Sequence, residues 1–533
     1  MPLILLQKRY RNWFKIDFLF KLKAQNYNTV FKTVVIVAIA INFFLSAVVI
    51  AKNDIFWNSD IARDFLILDE ILQKKIVLVG SRSYAAPGLF HGPLWSYLNF
   101  PAFYLGNGNP VAVGWFWVIL NGFFLISCFY ISYKLLGLTS AYLFTLFISV
   151  RMIGFTERFF NPTGAMILIP IFIYLLVKYN QTQKIKYLIL HVLAGGLIVQ
   201  LQVAVGIPFL ILSLLYVLFT TIKIRKNYNH LFAYLLISLT LVSYLIFDLR
   251  HEFLMTKAVV NYLSANSAVN SQTLALAFMD RAQVMMSEGL SFFPEPNTNF
   301  NYILFILVSV GVLLAYVKKT KYPFLIFWYF YLGFFALSFV QKTDLSSDYY
   351  FPLFPVAFFA FFSLSTYINK KIFYILTIVI VVLNLNFEIG KLSESLNNKG
   401  EHQTSWQFHN KIAIDIFETA NIGEFGMFVY SPEGLAYRSK YPFVYQQRHH
   451  PDTKMVIQEK KKETYVLLAG PPEKPIPWEF DPEGYLRDGV SIYKDSMEKW
   501  QYNDKYSVEK FYLTSEEIKV PFDINVNNWL NFR

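Results

Sequence analysis

The sequence predicts a mainly α-helical protein that crosses a membrane about eleven times and carries a small α/β domain at its C-terminus. The first observation is composition, since 55% of the 533 residues are hydrophobic and only 16% are charged. So few charges cannot cover a water-exposed surface, which excludes an ordinary soluble enzyme. The second is a series of apolar stretches of roughly 17 to 25 residues, the length that crosses about 30 Å of hydrocarbon. The third is that Lys and Arg lie between these stretches.

The apolar stretches define the predicted transmembrane spans. The boundary between the fifth and sixth spans is set at Gly206-Ile207-Pro208, because residues 187–222 are too long for one crossing and Gly and Pro interrupt helices. The eleven predicted spans are 33–51, 111–133, 137–153, 163–178, 187–204, 206–222, 231–247, 301–317, 323–341, 350–367 and 372–388.

The basic residues predict how these spans are oriented. Seven Lys and Arg residues lie up to residue 32, and every second connection after the first span is short and basic. The positive-inside rule therefore places the N-terminus in the cytoplasm and, after eleven crossings, the C-terminus outside. Much of the net charge of +12 belongs to this topology, so nucleic acid is not an expected partner and the plasma membrane is the expected location. The basic connections hold Lys134; Lys178, Lys184 and Lys186; Lys223, Arg225 and Lys226; Lys318, Lys319 and Lys321; and Lys370 and Lys371.

The chain after the last span has a different character. We divide the protein into a membrane domain, residues 1–390, and a soluble extracytoplasmic domain, residues 391–533. Short apolar runs at 426–430 and 464–468, punctuated by Pro and Gly, are typical of strands, whereas 405–420 favours a helix. The segment is long enough to form a core of its own.

The first outer loop, residues 52–110, carries the most informative pattern. From Ser59 to Gln73 apolar residues recur at helical spacing, which predicts an amphipathic helix on the membrane surface with Asp60 in its first turn. Ser59 or Asp60 can cap the start of this helix. A second segment, 88–98, is rich in aromatic residues that suit the membrane interface. Together the two segments predict a platform on the outer face.

Several polar groups on the predicted outer loops can act on a substrate. A carboxylate can serve as general base for a hydroxyl, and cations can stabilise an anionic leaving group. Asp60 is the candidate for the first role, with helix capping as the alternative. The candidates for the second role are Arg63, Arg82, His91, Arg158, Arg250 and His251. For His91 the alternative is an ordinary loop position, and for Arg250 and His251 it is an interfacial anchor.

Six short motifs occur in a fixed order between about residues 30 and 390. They are Trp57-Asn58-Ser59-Asp60-Ile61-Ala62-Arg63-Asp64, the segments 90–98 and 158–162, Val199-Gln200-Leu201-Gln202, and the segments 247–253 and 349–355. In this order and on this topology the motifs resemble the bacterial GT-C glycosyltransferases. That superfamily includes the protein O-mannosyltransferases and the aminoarabinose transferases of lipid A.

The resemblance implies roles for individual residues. It implies that Asp60 is the catalytic base or orients the acceptor, and His91 stands where the lipid A branch has a basic residue that contacts donor phosphate. Asn161 and Tyr350 lie in matching motifs and are expected to bind substrate. The implied partners are a polyprenyl-phosphate sugar donor, membrane lipids, and an envelope acceptor that is a lipid, a glycan or a protein. Whether a divalent metal binds near the first loop stays open, and no ligands are assigned to it.

We therefore predict an integral-membrane, inverting glycosyltransferase that moves a hexose or pentose from a polyprenyl-phosphate donor to an envelope acceptor on the outer side. Two rival classes remain. A lipid-linked glycan flippase or transporter is expected to carry ionisable residues within its spans and a repeat across two halves, whereas the predicted spans are nearly free of charge. An O-antigen polymerase or ligase is expected to have its principal loop later in the chain.

Overall fold

A computed structural model describes residues 29–83, 88–264, 274–340, 347–421, 423–431, 436–470 and 481–523. Most of these residues are helical, and within these ranges there is one sheet, of five strands, near the C-terminus. The predicted fold class, a helical membrane bundle with a small C-terminal α/β unit, is thereby confirmed.

The membrane part is built from apolar helices. Among the described residues, six helices are long and apolar enough to cross a membrane: Pro110–Leu136, Asn161–Thr182, Val203–Ile224, Phe300–Val317, Ser347–Thr366 and Lys370–Asn397. A seventh candidate is the pair Tyr228–Thr240 and Val242–Arg250, which meet at a bend of 56°. Four shorter apolar helices are Thr29–Leu45, Leu138–Arg151, Ile185–Leu201 and Phe324–Ser338. Each predicted span therefore corresponds to an apolar helix or helix pair, while the number of crossings and their orientation stay predictions.

The predicted break between the fifth and sixth spans is wrong in position. The helix Ile185–Leu201 ends at Gln202, whose backbone is extended, and the next helix begins at Val203. The two helices fold back on each other closely, since a Cβ on Gly206 would lie 2.4 Å from the backbone nitrogen of Val199. Gly206 therefore serves this close approach rather than the break itself, and Pro208 lies inside the second helix.

The loop at residues 52–110 contains the predicted amphipathic helix. It spans Ser59–Lys74 and is called the site helix below. Ile61, Phe65 and Leu68 lie on its buried face, as the periodicity predicts. Asp69, near the end of the site helix, is also buried. A second helix, Leu94–Leu105, begins within the aromatic segment 88–98 and packs against the site helix.

The C-terminal sheet has the strand order β2-β1-β3-β5-β4. Its strands are β1 Glu424–Tyr430, β2 Lys454–Ile457, β3 Glu463–Ala469, β4 Glu498–Gln501 and β5 Tyr506–Tyr512. Strand β1 is parallel to β2 and β3, whereas β5 is antiparallel to β3 and β4. Separate apolar clusters cover the two faces, so the central strand β3 is buried throughout, as in other α/β layers.

The sheet is attached to the membrane part through the helix Tyr437–His449, called the docking helix below. Trp57 Nε1 donates a 2.9 Å hydrogen bond to the carbonyl oxygen of Arg438, and the Tyr441 hydroxyl donates one of 2.5 Å to the carbonyl oxygen of Gly108. The Tyr441 ring also packs against Phe65 of the site helix, with the ring centres 5.2 Å apart. The C-terminal unit is therefore packed directly on the site helix.

The last long helix, Lys370–Asn397, continues past the predicted boundary at residue 390. The division into domains at 390 and 391 otherwise stays a prediction. The remaining α-helices are Val48–Ala51, Leu254–Ser264, Leu274–Val284, Trp406–Thr419, Pro482–Gly484 and Ser515–Lys519.

Candidate active site

The start of the site helix leaves the Asp60 carboxylate available. The residue that caps the helix is Asn58, whose Oδ1 accepts a 2.9 Å hydrogen bond from the backbone nitrogen of Ile61. The prediction that Ser59 or Asp60 caps the helix is therefore wrong, because Asn58 already fills that role. The Asp60 side chain is 42% exposed and lines a cavity. Capping is thereby removed as the alternative explanation of this carboxylate.

Arg63 lies between two carboxylates of the site helix. Its Nη1 is 2.5 Å from Asp60 Oδ1, and its Nη2 is 3.3 Å from Asp64 Oδ1. Burial opposes the charge on Arg63, but Asp60 and Asp64 outweigh that effect and raise its pKa. Burial raises the pKa of Asp64 to about 6, with Arg63 acting in the opposite direction. Arg63 is therefore a fixed cation that holds Asp60 in place, not a free one.

Arg82 is held near the site by a short antiparallel pairing. Its backbone is bridged to Phe90, and the nitrogen of His91 donates a 2.8 Å hydrogen bond to the carbonyl oxygen of Ser81. The Arg82 side chain is exposed and lines the same cavity as Asp60. Its guanidinium makes no hydrogen bond or ion pair with any residue in the described part of the chain. Arg82 is therefore a cation available to an anionic ligand.

His91 lines the cavity, and its burial favours the neutral form. The side chain is buried, and burial lowers its pKa to about 3, with Arg63 adding to the effect. Burial therefore favours the uncharged imidazole over the charged form expected from the sequence, while contact between His91 and a donor phosphate stays a prediction. Its Nδ1 has no hydrogen-bond partner among the described residues, so the imidazole can still bond to a ligand.

These groups meet in one cavity of about 420 Å³. Five of the sequence-predicted residues line it: Asp60, Arg63, Arg82, His91 and Asn161. The Asn161 amide also donates a 3.0 Å hydrogen bond to the carbonyl oxygen of Leu201. Residues that sequence reasoning did not select also line the cavity: Ser83, Phe160, Pro162, Gln202, Asp348, Tyr349 and Tyr437.

A second cavity, of about 250 Å³, adjoins the first, because Phe160 and Asp348 line both. Arg158, another predicted site residue, lies here rather than in the first cavity. Its guanidinium is 3.1 Å from Glu157 and lies over the Phe56 ring at 4.5 Å. The guanidinium that Arg158 presents to the second cavity is therefore already paired with Glu157.

Three predicted residues lie away from both cavities. Arg250 and His251 are exposed at the end of the helix Val242–Arg250, where His251 Nδ1 is 2.8 Å from the carbonyl oxygen of Phe247. Tyr350 is buried and donates a 3.1 Å hydrogen bond to Ser338 Oγ, while its neighbour Tyr349 lines the cavity. A short helical turn ends at Tyr349, and the side chains of Tyr349 and Tyr350 point to different sides of it. Tyr350 therefore packs in the core.

Sequence reasoning missed several cavity residues for identifiable reasons. Gln202 carried a signal, since a polar residue within an apolar run is expensive, but the sequence equally allowed helix packing. Tyr437 carried none, because the docking helix brings it from a distant part of the chain.

A divalent metal finds no clear site here. Within the described ranges, no three His, Cys, Asp or Glu side chains are grouped closely enough to hold an ion. Metal sites in proteins take several of their ligands from these residue types. Hard cations also use other oxygen atoms as ligands. The described part of the chain therefore offers no such group of ligands, and no step is derived through a metal.

Comparison with known structures defines the class of fold. No protein-family model and no curated protein sequence matches the chain. The structure nevertheless has a polytopic helical fold that solved structures share.

In particular, the chain is similar to ArnT from Cupriavidus metallidurans. The structure of ArnT bound to undecaprenyl phosphate matches with a TM-score of 0.60 and 9% identity, over 90% of this chain and 98% of that one. The apo structure matches with a TM-score of 0.59 and 10% identity over the same shares. An oligosaccharyltransferase from Archaeoglobus fulgidus, in complex with zinc and sulfate, has a TM-score of 0.44 and 10% identity over 80% and 67% of the two chains. At these identities the likeness establishes the fold alone.

Proposed function

We propose that this protein is a membrane glycosyltransferase that moves a sugar from a polyprenyl-phosphate donor to a hydroxyl of an envelope acceptor. The acceptor is a lipid, a glycan or a protein, and transfer takes place on the outer side of the membrane. Asp60 is the general base, and Arg82 binds the donor phosphate.

The observation that carries this proposal is the pairing of two groups in one cavity. Asp60 is a partly exposed carboxylate held by Arg63, and Arg82 is an exposed cation with no partner among the described residues. General-base catalysis needs a carboxylate within hydrogen-bond reach of a hydroxyl, and an anionic leaving group needs a cation. Asp64 is a poorer base because it is buried and does not line this cavity.

The reaction follows from these two groups. Asp60 accepts the proton of the acceptor hydroxyl while the hydroxyl oxygen forms a bond to the anomeric carbon of the sugar. The bond from that carbon to the phosphate oxygen breaks, and polyprenyl phosphate leaves with the electron pair, stabilised by Arg82. A single displacement of this kind inverts the anomeric configuration.

The donor class is supported by two features. Long apolar helices provide a lipid-facing surface for a polyprenyl tail. The similar ArnT structure contains undecaprenyl phosphate, a lipid of this class. The proposal that the cavity and the C-terminal unit are extracytoplasmic depends on the positive-inside pattern of the connections.

Reconstituted protein tests the proposal. Wild type and Asp60→Asn are placed in liposomes with labelled undecaprenyl-phosphate sugars and a membrane extract as acceptor. Wild type should transfer label from at least one donor, whereas Asp60→Asn should bind the donor without turnover. Movement of the intact donor across the bilayer, without transfer, would instead indicate a flippase.

A further inference from the structure

Two glutamines at the end of one helix have different surroundings. Gln200 Nε2 donates hydrogen bonds to the Thr240 carbonyl oxygen at 2.8 Å and to Ser243 Oγ at 3.1 Å. Gln202 lies at the helix break and lines the cavity, and its buried Oε1 accepts no hydrogen bond from any described residue. A buried polar atom without a hydrogen-bond partner is energetically unfavourable. Gln202 is therefore suited to accept a hydrogen bond from a ligand group that enters the cavity.

His91 presents a second unsatisfied atom to the same cavity. The side chain is 8% exposed, and Nδ1 has no partner in the part of the chain that is described. A neutral imidazole has one donor nitrogen and one acceptor nitrogen. A ligand group that both donates and accepts can therefore satisfy His91 in either tautomer.

Two further neutral groups share the cavity with these two atoms. Ser83 and Asn161 also line this cavity and do not line the second one. Of the two carboxylates in the cavity, Asp60 is paired with Arg63, and Asp348 lies at the junction with the second cavity. The cavity thus combines a charged part with a set of neutral hydrogen-bonding groups.

We propose that Gln202 and His91 bind the hydroxyls of the sugar carried by the donor and select an uncharged sugar over an amino sugar. This inference depends on the proposed function. A hydroxyl can donate to Gln202 Oε1 and can pair with His91 in either tautomer. An ammonium group would lose its hydration without gaining a carboxylate from this neutral set. Of the two charged groups that act on His91, the positive Arg63 has the larger effect and the negative Asp60 the smaller.

Binding of bare and sugar-bearing lipids tests the inference. Wild type, Gln202→Leu and the matched control Gln200→Leu are titrated in nanodiscs with undecaprenyl phosphate alone. The titration is repeated with the same lipid carrying glucose, mannose or 4-amino-4-deoxyarabinose. We expect Gln202→Leu to bind the bare lipid within about twofold of wild type and a neutral-sugar lipid at least about tenfold more weakly. Gln200→Leu should keep the wild-type ratio between the two lipids.

A charge substitution sharpens the test. Gln202→Glu keeps an acceptor oxygen but adds a negative charge, so it should shift preference from the neutral sugars towards the amino sugar. Equal weakening of all lipids by Gln202→Leu, or no weakening at all, would overturn the inference, as would tightest wild-type binding to the amino-sugar lipid. A wild type that binds none of the lipids, the bare one included, contradicts the proposed function instead.

Discussion

The two ends of the site helix each carry an ion pair between Asp and Arg, but the pairs differ in access. Asp60 near the start is 42% exposed, lines the cavity and is held by Arg63 of the same helix. Asp69 near the end is 10% exposed, and its partner Arg448 comes from the docking helix. The same two residue types therefore leave a carboxylate open to a ligand at one end, where we propose the chemistry, and attach the docking helix at the other end. Substitutions along this helix should separate the two roles.

The largest expected effect on stability is that of Arg63→Met, because it leaves two carboxylates without their cation. Breaking a buried ion pair costs about 3–5 kcal/mol, and Arg63 is 12% exposed. Thermal unfolding should therefore occur at a clearly lower temperature, and sugar transfer should fall about 100-fold because Asp60 is no longer held in position. Arg250→Met, at an exposed arginine outside the cavity, is the control. If Arg63→Met unfolded at the wild-type temperature and transferred sugar at the wild-type rate, the proposed role of the Asp60–Arg63 pair would be wrong.

Asp69→Asn tests the sealed end. It leaves Arg448 without its counter-ion, so the free energy of unfolding should fall by about 3 kcal/mol. Transfer measured well below the unfolding temperature should stay within about threefold of wild type, because the Asp60 end is untouched. A large loss of sugar transfer with an unchanged unfolding temperature would contradict this prediction, because Asp69 would then serve transfer rather than attachment.

The pH dependence of stability tests the buried state of His91. Its pKa, about 3, lies below the ordinary value of 6.5, so below pH 6.5 the unfolded chain binds a proton that the folded chain does not. Stability from this residue is complete above pH 6.5 and decreases as the pH falls towards 3, by about 2 kcal/mol at pH 5. His91→Gln should remove that part of the loss.

Thermal unfolding at pH 7 and pH 5 measures this difference. His409 has a pKa lowered in the same direction, so only the difference between wild type and His91→Gln isolates His91. Identical pH dependence in the two proteins would show that His91 is not buried in the neutral form.

The smallest expected effect is that of Arg82→Gln on donor binding. Removing one exposed charge should weaken binding of undecaprenyl phosphate about tenfold, or about 1.4 kcal/mol, and less at high salt. Arg250→Gln is the matched control. Unchanged affinity at every salt concentration would assign the phosphate to another cation.

Much of this arrangement could be predicted from sequence because it is local. Apolar length marks the spans, and helical periodicity marks the site helix. Asp60, Arg63, Arg82 and His91 come together because they lie within one loop, closed by a short antiparallel pairing. Their convergence required no contact with the distant C-terminal unit.

The rest depended on long-range packing. Tyr437 reaches the cavity only because the docking helix packs on the site helix, and no local pattern marks that contact. The break at Gln202 depends on the close approach of Gly206 to Val199. Whether Tyr349 or Tyr350 lines the cavity depends on where one short turn begins and ends. Sequence periodicity is read over longer segments and cannot resolve this.

The most direct test is the rate of a single turnover in Asp60→Asn with labelled donor already bound. Removing a general base typically lowers the rate by about 10² to 10⁴, and we expect a loss of about 1,000-fold with donor affinity unchanged. A single-turnover rate equal to that of wild type would contradict the role of Asp60.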